Sequence, residues 1–95
     1  MRSIDSQPSF KRAYKRWLAI HPDFRTQVNL VLQLLSENAF DLKLETHKLR
    51  GRLKGYWSCT AGYDLRIIFV FTKSSVNTED DILLVNIGTH DEVYE

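Results

Sequence analysis

Leu65-Arg66-Ile67-Ile68-Phe69-Val70-Phe71 is apolar at every position but one, and this stretch narrows the possible folds more than any other. A strand with one wet face would show a polar residue at every second place. Here both faces must be covered, as for a central strand with packing on one side and either more core or a binding surface on the other. Arg66 breaks the pattern. A buried cation without a partner is very costly, so its guanidinium either reaches solvent at the sheet surface or pairs with a carboxylate. Asp64, two residues earlier, is expected on the same strand face. Two readings follow: a local ion pair at a strand edge, or a cation held on a rigid strand and aimed at a phosphate.

The flanking sequence supplies the rest of a small sheet. Tyr56 to Thr60 and Ile82 to Thr89 are short, rich in aromatic and β-branched residues, and set apart by Gly62 and by the polar run TKSSVNTEDD. Before them the period is helical. Pro8 suits the first turn of a helix. Phe10, Tyr14, Trp17 and Leu18 form one face of it, while Lys11, Arg12, Lys15 and Arg16 take the other. Pro22 ends that helix near Ile20. A second helix starts at Pro22, buries Phe24, Val28, Val31, Leu32 and Leu35, and closes at Ser36-Glu37-Asn38. Met1 to Ser6 reads as an edge strand. The prediction is an α+β fold in the order strand, helix, helix and three strands, the last three antiparallel, with a helical hairpin on one face of the sheet. At 95 residues, of which 43% are hydrophobic, the chain is expected to be one domain over residues 1–95 with a packed core.

Net charge is only +1, but the charges are segregated. No Lys or Arg follows Lys73, and the tail carries Glu79, Asp80, Asp81, Asp91, Glu92 and Glu95. Such a chain can bind a polyanion on one face only. Cys59 is the single cysteine, which excludes a disulfide framework and a cysteine zinc site and suits a reducing cytoplasm. Inside a strand it reads as a small buried hydrophobe rather than a nucleophile. No apolar run approaches the roughly 20 residues of a membrane span, and the N-terminal residues lack the apolar core of a signal peptide.

Several chemistries drop out. His21, His47 and His90 have no i, i+4 partner for a helical metal site, and GRLKG followed by Tyr-Trp lacks the Lys-Ser/Thr and the helix of a phosphate loop. Neither a metal nor another cofactor is expected. What remains is a polyanion site. Lys48, Arg50, Arg52 and Lys54 alternate with Leu49, Gly51, Leu53 and Gly55, so in an extended ribbon the cations would share one side. That is either a solvated strip or, with Tyr56 and Trp57 adjoining, a surface for phosphate contact and base stacking.

HKLRGRLKGYW, then GYDLRIIFVF, then ILLVNIGTHDEVY, in this order after a basic helical hairpin, resemble the RelE/ParE superfamily of bacterial toxins from toxin–antitoxin pairs, and within it the YafQ-like branch. The resemblance implies a ribosome-associated endonuclease that cuts mRNA and an antitoxin protein as partner. It puts His47, Asp64 and His90 on catalytic positions, matches Tyr94 to an aromatic position, and matches Arg66 to a strand arginine that contacts the scissile phosphate. Where YafQ-like toxins carry a further histidine this chain has Thr60, and where they carry an acid it has Ser58. It also stops at Glu95, without the C-terminal helix of some relatives. The division of acid and base roles between His47 and His90 therefore stays open. RNA brings its own nucleophile, the 2′-hydroxyl, so cleavage needs a base, an acid and positive charge at the phosphorus, and no metal. Two alternatives remain: a ParE-like toxin that inhibits DNA gyrase without a nuclease site, and an inactive homologue that binds only antitoxin or RNA.

Overall fold

Prolines set the first helix. Pro8 stands at its first position, and the chain leaves the helix at His21, immediately before Pro22. The computed structural model describes residues 1–94; Glu95, last of the tail acids, lies outside them. Strand β1 (Ile4–Ser6) leads into α1 (Pro8–Ile20) and α2 (Phe24–Glu37), followed by β2 (His47–Lys48), β3 (Trp57–Thr60), β4 (Leu65–Thr72), β5 (Asp81–Thr89) and α3 (His90–Tyr94). One-turn 3₁₀ segments at Leu42–Leu44 and Gly51–Leu53 flank β2. The sheet order is β1-β5-β4-β3-β2. Its three last strands run antiparallel, as expected, β2 is an additional short strand antiparallel to β3, and β1 joins β5 in parallel at the opposite edge. A parallel pair needs a long crossover, and the whole chain between the two strands provides it.

The core lies between the helical hairpin and one face of the sheet. Phe10 and Ala13 of α1 and Val28 and Leu35 of α2 pack with Cys59, Leu65, Ile67, Phe69, Ile82, Leu84 and Ile87. The expected stripe of α2 is only partly submerged: Val28 and Leu35 are buried, while Phe24, Val31 and Leu32 sit at its margin. Gln27 ties α2 to the β3–β4 turn by donating to the Ala61 carbonyl. The same side-chain amide would lie 1.6 Å from a Cβ on Gly62, whose φ is +114°, so only glycine suits that turn.

Strand β5 is bulged. Ile68 pairs with Asn86 but Phe69 pairs with Leu84, leaving Val85 as an extra residue. Its carbonyl accepts from the Ser9 hydroxyl at 2.7 Å, which fastens α1 to the irregularity.

The chain does have a short C-terminal helix, contrary to expectation. The Thr89 hydroxyl accepts from the Glu92 amide at 3.3 Å, and the Glu92 carboxylate accepts from the Thr89 amide at 2.8 Å. This is a reciprocal capping box. α3 lies on β4 and β5, on the face away from the hairpin, and buries Val93. It rests on Gly88, where an added Cβ would meet the Glu92 and Val93 side chains at 3.0 to 3.4 Å.

Gly88→Val should therefore lift α3 and cost about 1–3 kcal/mol, the usual range for overpacking; an unchanged urea midpoint would show that α3 does not need this contact. Burial raises the Cys59 thiol from 9.0 to about 12, against a smaller opposing influence from the nearby Arg66 charge. The folded thiol holds its proton more tightly than the unfolded one, so stability should fall as pH rises from about 9 toward 12. At pH 8 the folded protein should not react with a disulfide reagent, and unfolding in urea should release one thiol; reaction in the folded state would contradict this burial.

Candidate functional site

Residues opposed across an antiparallel pair point to the same face. His47 opposes Ser58, Thr60 opposes Arg66, and Arg66 opposes Gly88. The face away from the hairpin therefore carries His47, Ser58, Thr60, Arg66 and Gly88 across four strands. Arg66 stands between two histidine-bearing segments: His47 on β2 to one side, and His90, directly after β5, to the other.

Arg66 is half-exposed. Its Nη1 donates to Thr60 Oγ1 at 3.2 Å and to the carbonyls of Tyr63 at 3.4 Å and Leu65 at 3.2 Å. All three acceptors are neutral. The ion pair with Asp64, one of the two readings of Arg66, does not form. Among the described residues the salt bridges join the N-terminus and Arg2 to Glu79, and His90 to Asp91. The reason is local: Asp64 lies in the turn before β4, not in the strand, so strand alternation does not align it with Arg66. Leu65 opposes Thr89, and Asp64 and His90 thus leave the sheet at the same end.

His47 is exposed, and its Nδ1 lies 2.9 Å from the Glu45 carbonyl. Together with Glu45, Thr60 and Arg66 it lines a cavity of about 220 Å³. The fold thus brings the predicted His47 and Arg66 to one concavity although they are two strands apart. Tyr94 shares a hydrogen bond with Ser58, hydroxyl to hydroxyl. The His90 ring meets the Tyr94 ring edge-on, with centroids 4.5 Å apart, and its Nδ1 is 3.5 Å from the Asp91 carboxylate. His90 joins the same face through Tyr94 but does not line the cavity of His47 and Arg66.

The cationic segment is not an extended ribbon. Beyond Lys48 it turns into the 3₁₀ segment Gly51–Leu53, with Gly51 at φ +65° and Gly55 at φ +95°, so strand alternation does not order its charges. Lys48, Arg50, Arg52 and Lys54 are all exposed but divide between two clefts. Arg50, Arg52 and Leu53 border one with Tyr94. Lys48, Arg50 and Lys54 border the other with His47, Tyr56 and Trp57. Trp57, expected as a stacking platform, is engaged edge-on by Phe40 and Phe71, and the Lys48 ammonium lies 5.6 Å from its ring centre.

Sequence reasoning missed three participants. Thr60 and Ser58 read in the sequence only as departures from the resemblance, yet one holds Arg66 and the other Tyr94; their i, i+2 spacing in a strand is the signal that they share a face. Glu45 carried no signal at all. Among the described residues no group of three or more His, Cys, Asp or Glu side chains is arranged to hold a metal ion, and no helix is long and apolar enough to cross a membrane.

Three solved structures share this architecture. YafQ from Escherichia coli strain BL21(DE3) is 21% identical with a TM-score of 0.79, over the whole of both chains. A chain of the E. coli DinJ–YafQ toxin–antitoxin complex is 22% identical with a TM-score of 0.76, over 99% of this chain and 98% of that one. A YoeB/ParE toxin from Agrobacterium tumefaciens is 17% identical with a TM-score of 0.72, over 93% of this chain and 98% of that one. No curated protein matches the chain by sequence. Residues 2–95 match the family described as "Bacterial toxin of type II toxin-antitoxin system, YafQ". With only the first residue outside that match, the chain belongs to the YafQ family of type II toxin–antitoxin toxins.

Proposed function

We propose that this toxin is an endoribonuclease that cuts mRNA on the ribosome, in the cytoplasm, by attack of the 2′-hydroxyl on the adjacent phosphodiester, and that an antitoxin protein holds it in check, as DinJ accompanies YafQ in the E. coli complex. The observation that carries this reading is Arg66: a cation without a carboxylate partner, fixed on the central strand and sharing a cavity with His47. Charge of this kind, preorganised where a phosphorane-like transition state gathers negative charge, is usually the largest catalytic contribution.

In-line displacement needs its base and acid on opposite sides of the phosphorus. The strand order supports that division, with His47 and His90 flanking Arg66. One imidazole takes the 2′-hydroxyl proton as the 2′-oxygen bonds to phosphorus; the other protonates the departing 5′-oxygen. The products are a 2′,3′-cyclic phosphate and a 5′-hydroxyl. Tyr94, its hydroxyl engaged by Ser58, serves as a ring against which a base stacks. Asp64 leaves the sheet at the end shared with His90 and is assigned to that histidine on this placement alone, the carboxylate beside the ring in the structure being that of Asp91. Lys48, Arg50, Arg52 and Lys54 bind RNA phosphates along the two clefts. An acidic antitoxin segment fits the same cationic surface.

His90→Ala should fold normally and lose mRNA cleavage on ribosomes by about 10²- to 10⁴-fold, the usual worth of a positioned acid or base; cleavage at the wild-type rate removes His90 from the mechanism. For Arg66→Ala the loss should appear in single-turnover cleavage at saturating ribosomes, and an unchanged chemical step would leave Arg66 a purely structural role. Replacing Arg50 and Arg52 together should weaken binding and reduce the salt slope of log K by about 1 to 2. A slope identical to wild type would return the segment to a solvated strip, and inhibition of DNA supercoiling without any cleavage would favour the gyrase alternative.

A further inference from the structure

Glu45 is the only non-glycine residue with positive φ among the described residues, at 50°. Glycine, asparagine and aspartate enter this left-handed region readily; glutamate does so rarely. The residue ends the 3₁₀ turn Leu42–Leu44, with φ 50° and ψ 40°, and an ordinary glycine would do that as well. What the conformation adds is the direction of the Glu45 carbonyl, which meets Nδ1 of His47 at 2.9 Å. A carbonyl oxygen only accepts. Nδ1 must therefore carry the proton, and in neutral His47 the lone pair belongs to Nε2, which has no hydrogen-bond partner among the described residues. Free histidine favours the other tautomer, so the contact selects against the default. Strained backbone that persists beside a cavity lined by His47, Thr60 and Arg66 fits a functional constraint.

We propose that Glu45 is a positioning residue: its left-handed backbone, not its carboxylate, locks His47 in the Nδ1–H tautomer and makes Nε2 of His47 the general base. The assignment rests on the endoribonuclease reading above and completes it. Nε2 takes the 2′-hydroxyl proton as the new P–O2′ bond forms. The P–O5′ bond breaks with its electron pair on the 5′-oxygen, which takes a proton from His90, and the two imidazoles regain their starting states by exchange with water. A ring nitrogen held by a carbonyl is a familiar way to fix which nitrogen reacts.

The full-length protein labelled with ¹⁵N-histidine answers this by long-range ¹H–¹⁵N correlation at a pH where His47 is neutral, alongside single-turnover cleavage of a ribosome-bound mRNA. His47 should show a protonated Nδ1 and a bare Nε2. Glu45→Gly and Glu45→Asn, which enter the left-handed region easily, should keep that signature and cleave within about threefold of wild type. Glu45→Ile, whose branched side chain resists the conformation, should shift His47 toward the Nε2–H form and lower the chemical rate about 10-fold, the lower end of the effect of removing a partner that orients a histidine, without weakening ribosome binding. If the isoleucine variant does not fold, the tautomer in wild type and the glycine variant decides the matter alone. An Nε2–H tautomer in the wild type overturns the proposal. So does a loss in Glu45→Gly as deep as in Glu45→Ile, because the carboxylate would then be the acting group. Wild-type protein that shows the Nδ1–H tautomer yet cleaves no RNA would instead overturn the endoribonuclease reading, and with it the role given to His47.

Discussion

On its hairpin side β4 loses Leu65, Ile67 and Phe69 completely to the core. On its other side Ile68 is buried too, in the region that α3 covers, while Arg66, two residues back on that same face, remains half-exposed. Fully burying a large apolar side chain is worth about 1.5–3 kcal/mol, so these four residues hold the strand firmly against both layers. Arg66 gains its rigidity from that burial. A guanidinium on a loop would lose backbone as well as side-chain freedom whenever it met a phosphate; on β4 the backbone part is already lost, and the acceptors on Thr60, Tyr63 and Leu65 restrain the side chain.

The bulge at Val85 decides what faces that arginine. Ile82 and Leu84 point into the core, and uninterrupted alternation would send Asn86 and Gly88 after them. The extra residue resets the phase, so that Ile87 enters the core while Gly88 comes to oppose Arg66 on the open face. Glycine there leaves room for α3, and α3 carries His90 and Tyr94. The position of two site residues thus depends on a backbone irregularity held by Ser9 of α1, on the far side of the sheet. Bulges commonly re-aim side chains next to functional sites.

Much of this was legible in the residues. Pro8 and Pro22 bounded α1, and the two-faced apolar run located β4 to within a residue. What alternation and helical period could not show was where they stop applying. Gly51 and Gly55 adopt left-handed backbone and fold the cationic segment, so a pattern that looked like a ribbon is a turn. Asp64 missed Arg66 because the strand begins one residue later. The parallel pairing of β1 depends on a partner about eighty residues away, which no local pattern encodes. Other features do carry a local signal. Thr89-x-x-Glu92 is a capping-box spacing that announces α3, and the step from Leu84 to Ile87 breaks the two-residue period where the bulge lies.

Thr60 and Ser58 alter the chemistry of the site more than its shape. At the positions where the resemblance implies an imidazole and a carboxylate, this chain has two hydroxyls, one accepting from Arg66 and the other bonded to Tyr94. A carboxylate at Ser58 would share the face with Arg66 and offset its charge, whereas a hydroxyl contributes none. The guanidinium therefore keeps its full attraction for a phosphate, and the hydroxyl of Thr60 fixes its direction without competing for protons. The cost falls on proton transfer. With no histidine at position 60 and no ion pair between Asp64 and Arg66, the proposed base and acid steps rest on His47 and His90, whose segments flank Arg66 in the sheet. On the proposed mechanism the tautomer lock suits a site with one imidazole on that side, since among the described residues no second histidine lines the cavity to replace a ring with its proton on the wrong nitrogen.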